Sequence, residues 1–305
     1  MVDCPQPDRA IRAVVAPDAR LVGDGGVVVA RDGSLVLETL WDEEDYGRDY
    51  SEPRRVPKPA ILAGTHASLI TTWHANYYHW MVDALPRLAV LEAAGLQDVS
   101  LIVPDPLATW QQEMLDRVGV TRDRLTPYSR QHVRPEHLVW ATAPAYVNFA
   151  TPFVVTWLRE RLGGHDRLRG ERRIYLKRST SRRLENEDEV LRVLDRFGFE
   201  TVEPDTMSVA EQVRTLSTAR VLVAAHGAGI ANAVFCDQLS LLELFQPGFF
   251  TPPYFTLAGA AGWDYWYLTC EASHTSRASR SVKYANLHVP LDLLEATVRA
   301  MLSGS

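Results

Sequence analysis

Two stretches of this sequence carry side chains whose types and spacing could do chemistry. The first, "VLVAAHGAGIANAVF" at 221–235, ends an apolar run in His226-Gly227-Ala228-Gly229. If 221–225 is a parallel strand and 229–236 a helix, the turn lies at the strand's carboxyl end, where open α/β sheets bind ligands. Glycines let the backbone take positive φ and approach a ligand closely. The N–H groups and dipole of the next helix then favour an anion, so a phosphate or diphosphate fits. Taken alone, such a turn is equally well a tight connection with no ligand. Its neighbours shift the balance: "RRIYLKR" ends on Lys177 and Arg178, and "STSRR" adds Arg182 and Arg183. Right-handed crossovers put these cations on the same sheet edge as the glycine turn. One or two of the four are expected to touch ligand, Arg178 first. Asn232 either contacts ligand or caps backbone, and Glu243, inside the apolar run "LLELF", either accepts hydrogen bonds from ligand hydroxyls or pairs with an arginine.

The second stretch is "WHANYYHWMVDALPRLAVLEAAG" at 73–95. At about 100° per residue, Asn76, His79, Asp83 and Arg87 share one face within about 80°. Pro86 cannot donate a backbone hydrogen bond, so Arg87 is the least secure member. His79 and Asp83, four apart, can touch, and a carboxylate or a histidine supported by one could act as a general base toward a hydroxyl. The aromatics Trp73, Tyr77, Tyr78 and Trp80 could stack on a sugar ring or fill the core. A metal site of His74, His79 and Asp83 is a weaker reading, because the spacing lacks the recurrent two-histidine pattern.

These residues need an α/β scaffold, and the sequence supplies one. "ARLVGDGGVVVARDGSLVLE" reads as a hairpin of Val27–Ala30 and Leu35–Leu37 about an Asp-Gly turn, and "DEEDYGRDYSEPRRVPKP" as a loop. Strands at 68–73, 99–104 and 137–142 then alternate with helices at 77–94 and 107–118. "FVVTWLRERLGG" is a helix, and a boundary nearby gives domains 1–152 and 153–305. In the second half, Asn186 with Glu189 caps a helix ending at Gly198, and Ser208 with Glu211 opens another that runs to Ala219. "VLVAA" and "LLELF" read as parallel strands buried on both faces. The terminal helix "PLDLLEATVRAML" is expected to stay with its own domain or pack back on the first.

At 305 residues the chain is long enough for two cores, and 46% hydrophobic with 23% charged residues is the balance of a soluble globular protein. A net charge of −6 argues against nucleic acid as partner. Cys4, Cys236 and Cys270 are too few and scattered for a disulfide framework and are expected to be reduced. No apolar run reaches membrane-spanning length and no signal peptide is evident, so the expected location is cytoplasmic, with room for peripheral membrane contact.

The segments "NYYHWMVDALPRL", "YLKRSTSRRLENEDEV", "EQVRTLSTARVLVAAHGAGIANAVF" and "LLELFQP", in this order, resemble the family 61 glycosyltransferases over residues 65–250. The resemblance implies a GT-B arrangement: two Rossmann-like domains facing a cleft, nucleotide sugar on the C-terminal one and acceptor on the N-terminal one. It also implies inversion at the anomeric carbon with no cofactor and no obligatory metal. By the same resemblance Arg178 and Arg182 match the family's basic motif, His226, Gly227 and Gly229 its glycine motif, and Asn76, His79 and Asp83 its N-terminal motif. Many eukaryotic members are membrane-anchored; a chain without an anchor suits a bacterial, cytoplasmic type acting on a glycan precursor or a small hydroxyl acceptor.

The expected reaction is a single displacement. Asp83, through or alongside His79, deprotonates the acceptor, while Lys177, Arg178, Arg182, His226, Ala228, the two glycines, Asn232 and Glu243 hold the donor. Asn76, Tyr78, Trp80 and Arg87 face the acceptor. Two other classes compete: a metal-dependent phosphoester hydrolase using His74, His79 and Asp83, and a non-catalytic nucleotide-sugar-binding module.

Overall fold

The computed structural model describes residues 11–39, 57–128, 131–142, 144, 148–163, 170–272 and 285–303. Cys4, most of the loop expected at 42–59 and the polar stretch 164–169 lie outside them. The chain forms two compact units, Met1–Val147 and Asn148–Ser305.

The first unit is built on a mixed sheet in the order β3-β2-β7-β4-β5-β6, with β1 also pairing β7. Its strands are β1 (Ala13–Pro17), β2 (Arg20–Val22), β3 (Val27–Val29), β4 (Ala60–Ser68), β5 (Ser100–Val103), β6 (Leu125–Pro127) and β7 (His132–Ala141). β4, β5 and β6 run parallel, and β7 is parallel to β4. The N-terminal hairpin is real but shifted: β2 pairs β3, while Leu35 makes only an isolated bridge to Val29. The strand expected at 68–73 instead ends at Ser68, and Leu69 and Ile70 continue as buried backbone beyond it. Burial, not strand pairing, made that run apolar. Ile70 packs with Leu21, Val28, Ile102, Leu138 and Trp140 in the core of this unit.

The expected helix at 77–94 is broken. A single turn, α1 (Tyr77–His79), opens into a π-helical segment, Trp80–Ala84, and α2 (Arg87–Ala93) restarts after Pro86. Proline at 86 withholds a backbone donor, and Leu85 N reaches back to Trp80 O in the wider π pattern. After β5 comes α3 (Thr109–Arg117).

The second unit holds a fully parallel sheet in the order β12-β11-β10-β8-β9. Its strands are β8 (Arg172–Leu176), β9 (Phe199–Val202), β10 (Ala219–Ala225), β11 (Ser240–Phe245) and β12 (Asp264–Thr269). The helices are α4 (Pro152–Arg161), α5 (Glu187–Asp195), α6 (Val209–Leu216), α7 (Pro253–Ala261) and α8 (Leu291–Ser303). In chain order the sheet reads 2-1-3-4-5, a doubly wound order whose direction reverses between β8 and β10. The Ser208–Glu211 capping box forms as expected, although α6 ends at Leu216 and Ala219 already belongs to β10. Asn186 does not cap α5; its side-chain amide grips both the N–H and the C=O of Val289. The buried face of α8, Leu294, Val298 and Met301, joins Val190, Val193 and Leu194 in the core of its own unit.

The structure is thus mixed α/β with parallel strands in both units. Cys236 and Cys270 are free thiols pushed up to about 12 by burial, which keeps them unreactive. No helix among the described residues is long and apolar enough to cross a membrane.

Candidate functional site

In the second unit the carboxyl ends of β8 and β10 meet at the reversal of strand order, where an open sheet leaves room for a ligand. β8 runs directly into Lys177 and Arg178, and β10 into His226 and Gly227. The four positions therefore occupy one edge. The reason for glycine differs from the expected one. Gly227 has φ 173°, an extended conformation any residue adopts, but a Cβ there would lie 1.4 Å from Nη1 of Arg178. Glycine leaves room for the guanidinium, which a side chain at 227 would push aside. A Cβ at Gly229 would meet Pro204 at 3.3 Å, so that glycine serves close packing. The expected α-helix after the turn is a 3-10 helix, Ala228–Phe235, which aligns its peptide dipoles less well.

Arg178 is held by one hydrogen bond, Nε to Ser181 O at 2.8 Å, and makes no ion pair among the described residues. Burial pulls its affinity for a proton below the usual arginine value, opposed by Tyr254, Asp205 and Tyr175. Arg178 is thus a half-buried cation with few partners of its own among the described residues. Arg182 sits beside it with φ 56°, a region few non-glycine residues enter. Its Nη1 donates to His226 O at 3.0 Å, and its guanidinium lies 5.7 Å from the Phe249 ring centre.

Several expected donor residues are otherwise engaged. Lys177 Nζ lies 3.1 Å from Glu203 and 3.8 Å from Glu187, so its charge is already met. Arg183 is exposed. Asn232 is fully buried and donates to Gln212 Oε1 at 2.6 Å, tying the 3-10 helix to α6. Glu243 is fully buried, and instead of an arginine its oxygens meet His226 Nδ1 at 2.5 Å and the Tyr265 hydroxyl at 2.6 Å. Tyr254 donates to Gly227 O at 2.7 Å and supports the turn from below. Tyr254 and Tyr265 were missed in the sequence. Their signal was the aromatic richness of 249–267, in which "GWDYWYLTC" reads as a strand, the β12 that the structure shows, but its pairing with β11 does not show in the sequence.

In the first unit, Asn76 caps α1, accepting from Tyr78 N at 3.0 Å and His79 N at 3.4 Å. His79 Nδ1 meets Asp83 Oδ2 at 2.7 Å. Asp83 is buried, and its Oδ1 has no hydrogen-bond partner among the described residues. Burial raises its carboxyl above the usual range, against the lowering pull of His79 and Arg87. Of the two side chains the ring of His79 is the more exposed, 14% accessible against 6%. Tyr78 and Trp80 are core residues, 3% and 0% exposed, and do not offer a stacking surface. Arg87 is also buried: its Nε donates to Asp83 O at 3.2 Å and braces the π segment, and burial lowers it to about 10. His74, held through Nδ1 by Thr71 O at 2.6 Å, does not join His79 and Asp83, and no three candidate metal ligands cluster among the described residues.

A cavity of about 310 Å³ lies just past the carboxyl ends of β5 and β6, lined by Asp24, His74, Asp105, Trp110, Gln111 and Tyr128 among others. Trp110 is braced by Tyr77 at 5.1 Å and Trp80 at 6.4 Å, and Gln111 donates to His74 O at 2.9 Å. The aromatic residues around 73–80 thus support a pocket wall contributed by α3.

The fold and this edge define an α/β protein with Arg178, Arg182, His226 and Gly227 gathered where the strand order reverses. Its family follows from comparison. The model described as Glycosyltransferase 61 matches residues 77–241, more than half of the 305, and the chain belongs to that family. It is therefore a glycosyltransferase. Among the curated proteins searched, none matches.

Proposed function

We propose that the chain moves a sugar from a nucleoside-diphosphate donor to a hydroxyl acceptor in one displacement that inverts the anomeric carbon. In this reading the units play the GT-B roles, residues 148–305 holding the donor and residues 1–147 the acceptor. The observation that carries it is the guanidinium of Arg178 seated on Gly227 at the strand-order reversal. A diphosphate there is met by Arg178, Arg182 and the amides of Gly227 to Gly229. These fixed donors stabilise the charge that grows on the leaving diphosphate, the work a divalent ion does elsewhere. His79 takes the acceptor's proton, and Asp83, bonded to its Nδ1, orients the ring and stabilises its charge. The Trp110 cavity, with one aromatic wall and two carboxylates, has the size and lining for a saccharide portion of the acceptor.

The test is release of nucleoside diphosphate from a panel of nucleotide sugars and glycan acceptors, with and without chelator. The reading expects acceptor-dependent release that survives chelation. Loss of release with chelator contradicts the metal-independent mechanism, and binding without release favours a non-catalytic module. A thermal-shift screen of nucleoside diphosphates identifies the base, since a ligand of the native state raises the melting temperature.

A further inference from the structure

Glu243 is a carboxylate with no exposed surface in the middle of an apolar strand. Strand register explains how it is kept there. Glu243 pairs with Ala224 on β10 and with Tyr267 on β12. Side chains two apart share a face, so His226 and Tyr265 lie diagonally on either side of it. Each meets a different oxygen: His226 Nδ1 lies 2.5 Å from Oε1, and the Tyr265 hydroxyl donates to Oε2 at 2.6 Å. Burial, and then Glu243, push the Tyr265 hydroxyl far above its usual range, so it is a donor.

We propose that Tyr265, Glu243 and His226 form a hydrogen-bonded chain that presents His226 Nε2 to the donor diphosphate, with Glu243 and Tyr265 as positioning residues. This rests on the donor reading above and names how that site is tuned. In this chain Glu243 accepts from both neighbours, so the ring proton is on Nδ1 and Nε2 is the nitrogen turned to a ligand. The ring is clamped: Phe245 stacks on it at 5.4 Å and 19°, Phe249 meets it edge-on at 5.7 Å, and Tyr254 tilts against it at 5.5 Å. The polar groups facing it are Glu243 from β11, Tyr254 from α7 and Arg182, which binds its carbonyl; Arg178 lies beside the following glycine. A bare Nε2 lone pair repels a phosphate oxygen. When a diphosphate arrives the ring therefore takes a proton from water at Nε2, and the resulting cation lies between Glu243 and the phosphate.

Nitrogen-15 NMR of the histidine rings in the full chain reads this directly, with His226→Gln used to assign the signal. The expected result is a proton on Nδ1 and none on Nε2 in the ligand-free protein. Saturating uridine or adenosine diphosphate, whichever raises the melting temperature, moves Nε2 to a protonated, hydrogen-bonded position. Glu243→Gln weakens that nucleotide about tenfold and erases the change at Nε2. Should that variant fail to fold, Tyr265→Phe alters a half-buried ring by one atom, and the expectation is a weaker nucleotide with a displaced Nδ1 signal. A proton on Nε2 in the ligand-free protein overturns the proposal, as does an unmoved Nε2 in nucleotide-saturated protein or a Tyr265→Phe variant matching the wild type in both readouts. If no nucleoside diphosphate binds, the donor reading itself falls and takes this inference with it. A bound nucleotide beside an unmoved Nε2 removes this inference alone.

Discussion

Each unit contains a histidine whose Nδ1 is held by a buried carboxylate, and the two pairs are built differently. His79 and Asp83 lie on one helical segment, four residues apart, and Asp83 keeps an oxygen with no hydrogen-bond partner among the described residues. His226 and Glu243 lie on neighbouring parallel strands, and both carboxylate oxygens of Glu243 receive donors. A carboxylate with one orphan oxygen in an apolar setting is costly in its ionised form and favours receiving charge from its histidine. One with both oxygens satisfied is an anchor. The contrast matches a proton acceptor in the first unit and a rigid ligand contact in the second.

The largest effect expected from breaking this contrast is at the first pair. His79→Gln should lower turnover by about 10²–10⁴-fold, the range for a general base, while leaving nucleoside diphosphate affinity unchanged. Steady-state turnover and calorimetric titration on the same preparation check both halves. Asp83→Asn should also cut turnover strongly, because an amide no longer selects the ring tautomer. It should at the same time raise the melting temperature at neutral pH. The Asp83 carboxyl is raised by burial, so its contribution to stability is fully present below the ordinary value of 3.8 and is lost as pH rises through the folded-state value. The advantage of the Asn variant therefore shrinks as pH falls, and thermal melts from acid to neutral pH follow it. A wild type that melts higher than Asp83→Asn at neutral pH would mean the His79 contact outweighs burial.

Smaller effects sharpen the comparison on the donor side. Asn232→Ala removes the tie to Gln212 and should cost about 1–2 kcal/mol of stability in a denaturant titration. Lys177→Ala should leave nucleotide affinity unchanged, since that amine is already paired with Glu203 and Glu187.

The parallel sheet of the second unit was legible in the sequence because strands buried on both faces read as unbroken apolar runs, as 221–225 and 241–245 do. The edge shared by Arg178, Arg182, His226 and Gly227 followed from right-handed crossovers alone. The partners of the polar residues were not legible. Asn232, Glu243 and Lys177 are joined to residues 17 to 26 positions away or on unforeseen neighbours, and such pairings depend on strand register. The first unit was harder still. The irregular β4, shifted in register about Gly64, carries no clean alternation, and Pro86 replaced a regular helix with a π segment that moved Arg87 inward. The Trp110 cavity gathers residues from four separate segments of the chain and had no local signature.

The central claim is that a diphosphate docks on the Arg178 guanidinium where it rests on Gly227. A double-mutant cycle on nucleoside diphosphate affinity tests it most directly, using Gly227→Ala, Arg178→Ala and the double variant. A methyl group at 227 displaces the guanidinium, so all three should weaken binding by a similar factor, about 10–100-fold, with the double no worse than either single. Wild-type affinity in Gly227→Ala, or losses that simply add in the double variant, would contradict it.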